Sequence, residues 1–389
     1  MILNMHNKLN AACFSDSDKR YMSRAVELAR KGRFTTSPNP NVGCVIVRNN
    51  IIVGEGFHKQ AGFPHAEINA LAMAADKAVD ATCYVTLEPC SHYGRTPPCA
   101  LALTKAGVKR VVVAMVDPNP KVAGRGINIL LDAGIEVDVG LLEDQARDLN
   151  RGFIKRMQSK QPRVTVKLAA SLDGKTALQN GQSQWITGAK ARIDVQYYRA
   201  QHSAILTGSG TVIGDDPSLN VRYSELQQAD GFSDEVDEIS VRQPMRIILD
   251  SNNRLTLNER LFTLPGKVLL VSLSARDDLH NKEFSADIEQ LICANDGSGR
   301  IDLQELLLRL NDYEINDLWV EAGAKLSGAL FKSNLVDEFI LYQAPKLMGD
   351  LARNLVNLPN FSKMDDVVQL TLQDVAIIGN DIRIISNRD

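Results

Sequence analysis

Cysteine is scarce in this chain: six in 389 residues, at Cys13, Cys44, Cys83, Cys90, Cys99 and Cys293. That is too few for a disulfide scaffold. Charge of one sign is scarce too. Forty-four Lys and Arg stand against 47 Asp and Glu, a formal net charge of -3, so no general positive excess is available to hold nucleic acid by its phosphates. No segment approaches the roughly 20 apolar residues that cross a bilayer. The first 17 residues carry Asn, Lys, Asp and His where a signal peptide has its apolar core. Internal repeats and low-complexity tracts are absent as well. These absences point to a cytoplasmic protein with reduced thiols, a small-molecule substrate, and neither nucleic acid nor membrane as partner. What is present is ordinary for a globular protein, 44% hydrophobic and 23% charged residues. The length suits two domains of about 150 to 200 residues.

The first half alternates helix-like and strand-like segments. Asp18 to Arg30 has helical spacing, and Val42 to Val47 with Ile51 to Gly54 reads as a hairpin turning at Asn49-Asn50. An Ala-rich helix is expected from His65 to Ala75, a strand from Cys83 to Leu87, a helix from Ala100 to Ala106 and a strand from Arg110 to Val116. This order predicts a three-layer α/β domain. Asp144 to Lys160 reads as a helical connector, which places the boundary near Lys160 and the domains at 1–160 and 161–389. In the second half, strands are expected at Ala204 to Thr207, Met245 to Leu249, Val268 to Val271, Asp317 to Val320 and Glu338 to Tyr342. Helices are expected at Ala189 to Ala200 and Leu303 to Leu310. Tyr223 to Ile239 has no period and reads as a polar surface insertion.

The sharpest chemical signal is Pro64-His65-Ala66-Glu67, then Glu88-Pro89-Cys90, then Cys99. His65, Cys90 and Cys99 are three ligands of the right softness for one zinc ion, with a fourth position left for water. The pattern places Cys90 and Cys99 each at a helix start, where the dipole favours thiolates. Glu67, two residues after the histidine, is placed to move protons without ligating. The combination is the known signature of zinc nucleobase deaminases. Eight residues separate the two cysteines, which sets His92, Arg95 and Thr96 beside the metal as substrate contacts.

Three segments carry a fuller resemblance: Ser37 to Val47 (Ser-Pro-Asn-Pro-Asn-Val-Gly-Cys-Val-Ile-Val), His65-Ala66-Glu67, and Glu88 to Cys99. They closely resemble the bifunctional riboflavin biosynthesis family, RibD. The resemblance implies a cytidine-deaminase-like three-layer α/β/α domain that deaminates a diaminopyrimidinone ribosylamino phosphate. It also implies a substrate contact from Asn39.

The second half offers two glycine clusters, Thr207 to Val212 and Glu321 to Gly328, each after a strand. Such turns bring backbone N–H groups to phosphates. Neither has the G-x-G-x-x-G spacing of a Rossmann fingerprint. The family resemblance extends here through Val166 to Lys175, Ser183 to Thr187, Thr207 to Asp216 and Glu321 to Ala329. It implies a dihydrofolate-reductase-like α/β domain that uses NADPH to reduce the ribosyl chain to ribityl. By the same resemblance, Ala169, Trp185, Thr211, Asp215, Ser251 and the run Gly323, Ala324, Lys325, Leu326, Ser327, Gly328 and Ala329 bind the cofactor. Ser183, Arg199, Leu219, Arg222 and Glu321 line the substrate side, the two arginines suiting its phosphate. Lys167, a substrate-side residue, and Asp215 are both candidates for the proton donor. A homo-oligomer is expected. The competing readings are a tRNA or single-strand deaminase, opposed by the acidic charge and long Cys spacing, and a non-catalytic zinc protein. The latter would be expected to show four ligands.

Overall fold

The structure, a computed structural model, describes residues 14–91, 97–120, 122–232, 236–281 and 283–388. It divides into two compact units, Met1–Lys160 and Gln161–Asp389. No helix among the described residues is long and apolar enough to cross a membrane.

The first unit is built on a five-stranded sheet of β1 (Gly43–Arg48), β2 (Ile51–Phe57), β3 (Thr82–Val85), β4 (Arg110–Val113) and β5 (Glu136–Val139), in the order β2-β1-β3-β4-β5. The β1–β2 hairpin turns at Asn49 and Asn50, both with positive φ, a backbone that asparagine tolerates. β1 and β3 are antiparallel, whereas β3, β4 and β5 run parallel. Alternation along the strands loads both faces of the sheet. Cys44, Ile46, Cys83 and Val85 pack with α2 (Ala66–Ala74), α3 (Cys99–Lys105) and α4 (Arg125–Asp132). Val45, Val47 and Tyr84 pack on the other face with α1 (Asp16–Arg30), α5 (Glu143–Leu149) and α6 (Arg151–Ser159). The result is helix, sheet, helix. A capping box of Ser15 and Asp18 starts α1.

In the second unit a nine-stranded sheet has the order β11-β10-β9-β8-β12-β6-β13-β16-β15. Its parallel core comprises β6 (Arg163–Ser171), β8 (Ala204–Gly208), β9 (Met245–Leu249), β10 (Lys267–Ser272), β11 (Asp287–Ile292), β12 (Asp317–Val320) and β13 (Glu338–Ala344). β15 (Thr371–Ile378) and β16 (Asp381–Asn387) close one side antiparallel. A short ribbon pairs β7 (Lys175–Ala177) with β14 (Arg353–Asn354). One face packs on α10 (Leu303–Arg309) and α11 (Ala324–Lys332), the other on α7 (Ala189–Gln201) and α8 (Ser209–Asp215).

Three expectations change. β11 and the β15–β16 hairpin were not foreseen from sequence. The Tyr223 to Ile239 stretch lies mostly at the surface, as expected, but it has order of its own, since α9 (Tyr223–Leu226) starts it and Leu226, Ala229 and Val236 are buried. The Tyr223 hydroxyl donates to the Val236 carbonyl at 2.7 Å, closing the loop on itself. Nor does a helix begin at Cys90, which lies in the loop ahead of α3.

Candidate active sites

In the first unit the cluster is assembled from three places. His65 is the N-cap of α2 and makes no capping bond, so its ring is free to turn to the sulfurs. Cys90 follows the end of β3, and Cys99 opens α3. Their ligand atoms all lie within 4.8 Å of one another. His65 Nδ1 is 3.6 Å from Cys90 Sγ and 3.4 Å from Cys99 Sγ. Although Cys90 starts no helix, its sulfur accepts the Cys99 N–H at 3.3 Å, so the α3 terminus reaches both thiols. Hydrogen bonding from the Cys99 side chain, His65 and the Cys99 N–H drives the Cys90 thiol pKa down against its burial. The same bond to Cys90, with burial, drives Cys99 up. One soft nitrogen and two sulfurs converging on a single point are a donor set that suits zinc.

Glu67 lies in the first turn of α2 and is 3% exposed. Burial pushes its carboxyl up to about 7, and its side chain bonds to that of Cys99. A divalent cation at the cluster would act in the opposite sense. Asn39 sits nearby through a residue the sequence did not flag, His58. The buried His58 ring contacts the Pro64 carbonyl through Nδ1 at 3.2 Å and the Asn39 amide nitrogen through Nε2 at 3.0 Å. A carbonyl only accepts, so Nδ1 carries the proton and Nε2 accepts from the Asn39 NH₂. That orients Asn39. His92, Arg95 and Thr96 lie outside the described residues. Cys44 and Cys83 meet at 3.4 Å as buried thiols, apart from the cluster of three.

In the second unit the chemistry gathers at the central strands. Arg199, on α7, forks onto Glu321 at 2.6 and 2.8 Å and donates to the Asn220 carbonyl at 3.0 Å. The Trp319 indole N–H donates to the same carboxylate at 2.7 Å. Burial works to raise the Glu321 pKa, but Arg199, Lys167 and Trp319 outweigh it and hold the carboxyl at about 2. Lys167, on β6, stands with its ammonium 5.8 Å from the centre of the Tyr342 ring. Burial lowers its pKa, with Glu321 opposing and Arg199 reinforcing. Arg199, expected on the substrate side, is 8% exposed, and three of its five N–H groups bond to Glu321 and Asn220. Arg222 forks onto Glu225 at 2.6 and 2.8 Å, a partly exposed pair that an anion can open at little cost.

β8 and β12 are parallel neighbours, so the two glycine clusters emerge at the same end of the sheet. A Cβ added at Gly210 or Gly323 would meet nothing within 4 Å. The Thr207 hydroxyl at the end of β8 is fully buried and has no partner among the described residues. Open backbone beside an orphaned hydroxyl suits a phosphate-bearing cofactor such as NADPH. Trp185 is 63% exposed, with the Arg192 guanidinium 4.4 Å from its ring centre. The Ser183 hydroxyl reaches the Asp215 carboxylate at 3.4 Å. Ala169, two residues from Lys167 on β6, Thr211 on α8 and Ser251 just after β9 are half-buried. Leu219 is buried in the core. Within the Gly323 to Ala329 run, Gly323 and Lys325 are exposed, and Ala324, Leu326 and Ala329 are half-buried. Ser327 and Gly328 point inward, Ser327 donating to the Ala322 carbonyl at 3.3 Å. Both lie within α11, buried on its inner side.

Residues 162–384 match the RibD C-terminal domain, and residues 15–115 match the cytidine and deoxycytidylate deaminase zinc-binding region. The riboflavin biosynthesis protein RibD of Haemophilus influenzae is 53% identical over 371 residues, 95% of this chain and 97% of that protein. The chain belongs to the RibD family. The Escherichia coli member is 50% identical over 94% of this chain and 98% of its own length. A solved Acinetobacter baumannii RibD structure superposes with a TM-score of 0.87 at 45% identity, covering 96% of this chain and 99% of that one. A Thermotoga maritima structure described as a diaminohydroxyphosphoribosylaminopyrimidine deaminase/5-amino-6-(5-phosphoribosylamino)uracil reductase reaches 0.81 at 32% identity, with coverage of 96% and 99%.

The protein is a bifunctional riboflavin biosynthesis enzyme with a cytidine-deaminase-like zinc domain and a dihydrofolate-reductase-like NADPH domain. Besides His58, sequence reasoning gave no role to Glu88, named there only as part of the Glu88-Pro89-Cys90 run, and passed over Asp117; both are buried. The run Asp117-Pro118-Asn119-Pro120, with Gly124 and Gly126 after it, was the available signal.

Proposed function

We propose that His65, Cys90 and Cys99 hold the zinc and that Glu67 carries the protons of deamination on a diaminopyrimidinone ribosylamino phosphate. The convergence of one imidazole nitrogen and two sulfurs beside a buried, unligated carboxyl is the observation that carries this reading. Zinc bound there supplies the Lewis acidity that brings a water pKa down to about 7. Glu67 takes the proton of the attacking water, delivers it to the ring nitrogen, and then serves the departing ammonia. Asn39, oriented by His58, contacts the substrate, and His92, Arg95 and Thr96 extend that contact.

In the second unit NADPH supplies the hydride. Gly323, Ala324, Lys325, Trp185, Thr211, Ser251 and Asp215 border its place, with Ser327 and Gly328 supporting the turn from inside. Ser183 and Arg222 face the substrate, Arg222 toward its phosphate. Lys167 is favoured over Asp215 as proton donor, because burial lowers its pKa and Glu321 stands beside it, whereas Asp215 is exposed. Deamination precedes reduction, the protein works in the cytoplasm as a homo-oligomer, and no nucleic acid takes part.

Replacing Glu67 with Gln tests the core of this reading. Ammonia release is expected to fall about 10²- to 10⁴-fold, with zinc content unchanged and NADPH oxidation on the deaminated substrate intact. Undiminished deamination would remove Glu67 from the mechanism.

A further inference from the structure

We infer that Glu88 is a positioning residue for deamination, a buried clamp that ties the Cys90 loop to the start of α4; the inference rests on the deaminase reading above. Glu88 is 3% exposed, and among the described residues its carboxylate accepts only from backbone N–H groups. Oε2 accepts from Asp117 at 3.1 Å and Gly124 at 2.9 Å. Oε1 accepts from Gly126 at 2.9 Å and Ile127 at 3.3 Å. All four donors belong to one segment, which runs into the first turn of α4, where unpaired N–H groups and the dipole favour an anion. The fit is tight from the other side as well. A Cβ at Gly126 would lie 1.9 Å from the Pro89 carbonyl oxygen and 3.2 Å from Glu88 Oε1.

Pro89 is the only residue between Glu88 and Cys90. On its other side Cys90 is held by α3, since its sulfur accepts from Cys99 and its carbonyl accepts from Ala100 at 3.2 Å. Cys90 is thus stretched between two helix N-termini, directly at α3 and through Glu88 at α4. The clamp also fixes the segment that carries Asp117, whose buried carboxyl accepts the Asn119 N–H at 2.8 Å. Loosening Glu88 should therefore disturb the sulfur ligand and this buried segment together. Groups that hold a metal ligand in place without touching the metal typically act in this way.

Glu88→Gln keeps the shape and halves the acceptor capacity, leaving an NH₂ group pointing at two N–H donors. Three readouts on the full-length protein test the clamp: amide hydrogen exchange, the absorption spectrum of the cobalt(II)-substituted protein, and steady-state kinetics of both activities. In E88Q, exchange is expected to accelerate over 117–127, and the cobalt–thiolate bands to shift at full cobalt content. Deaminase kcat/KM is expected to drop about 10- to 100-fold, while NADPH oxidation on the deaminated substrate is unchanged. Unaltered exchange would overturn the clamp. Faster exchange with unaltered cobalt bands and deaminase constants would reduce Glu88 to a fold anchor and overturn the positioning role. Should E88Q fail to fold, Gly126→Ala strains the same contact from α4, and the same three changes are expected; their absence is equally decisive against the proposal. A wild-type protein that releases no ammonia would sink the deaminase reading instead, whereas exchange and cobalt bands would still judge the clamp.

Discussion

Replacing Arg199 with Met should cost the second unit stability before it costs anything else. The Arg199–Glu321 pair is an internal one, with side chains 10% and 16% exposed, so solvent screens it little. Glu321 falls from an ordinary 4.5 to about 2 in the folded protein, a difference on the order of 3 kcal/mol. Because the folded value is the lower one, that stabilisation is present above about pH 4.5 and is lost as pH falls toward about 2. Removing one partner of a buried pair costs about 3 to 5 kcal/mol, since the other charge is left uncompensated. At about 2 to 4 °C per kcal/mol for a unit of this size, the melting temperature of the second unit should drop roughly 6 to 20 °C at neutral pH. Scanning calorimetry should show the gap narrowing as pH is lowered, because a protonated Glu321 no longer needs its arginine. A shift below about 2 °C, together with a KM that rises only for the phosphorylated substrate, would refute this. That result would return Arg199 to the phosphate.

Two further perturbations separate the halves of the molecule. A Cβ at Gly328 would lie 2.0 Å from the Asn357 carbonyl oxygen, and the Asn357 N–H donates to the Ala324 carbonyl at 3.0 Å. Gly328→Ala should thus destabilise the second unit by about 1 to 3 kcal/mol and raise the KM for NADPH, as read by melting and titration, while ammonia release is unaffected. Stripping zinc with a chelator should abolish ammonia release and spare NADPH oxidation on the deaminated substrate; simultaneous loss of both would show that the metal supports the second unit as well.

How much of this was legible depends on where each feature gets its partners. Met245–Leu249 and Asp317–Val320 were read to their ends, because short apolar runs between polar breaks are what buried parallel strands require. β11 escaped notice because Asp287-Ile288-Glu289-Gln290 interrupts its apolar pattern, which an edge strand tolerates. The β15–β16 hairpin turns on Gly379, and β15, the other edge, leaves Leu372, Val375 and Ile377 exposed, so no buried face marked it. In the first site, His65, Cys90 and Cys99 were legible because a metal demands specific residue types in a set order. The roles of Glu88 and His58 were not: Glu88 meets main-chain N–H groups 29 to 39 residues away, and His58 links the Pro64 carbonyl to the Asn39 amide, a pairing that no sequence pattern marks. The Glu321 partner of Arg199 was hidden for a related reason. An arginine suited to phosphate is equally suited to a buried carboxylate, and only the fold shows which one it meets.

The most direct test of the account is a two-channel assay on the purified protein with the diaminopyrimidinone ribosylamino phosphate, following ammonia release and NADPH oxidation with each reactant present or withheld. The account predicts ammonia without NADPH, and NADPH consumption only once deamination has occurred. Consumption of NADPH before any ammonia appears would contradict the proposed order, and silence in both channels from zinc-loaded protein would contradict the substrate assignment itself.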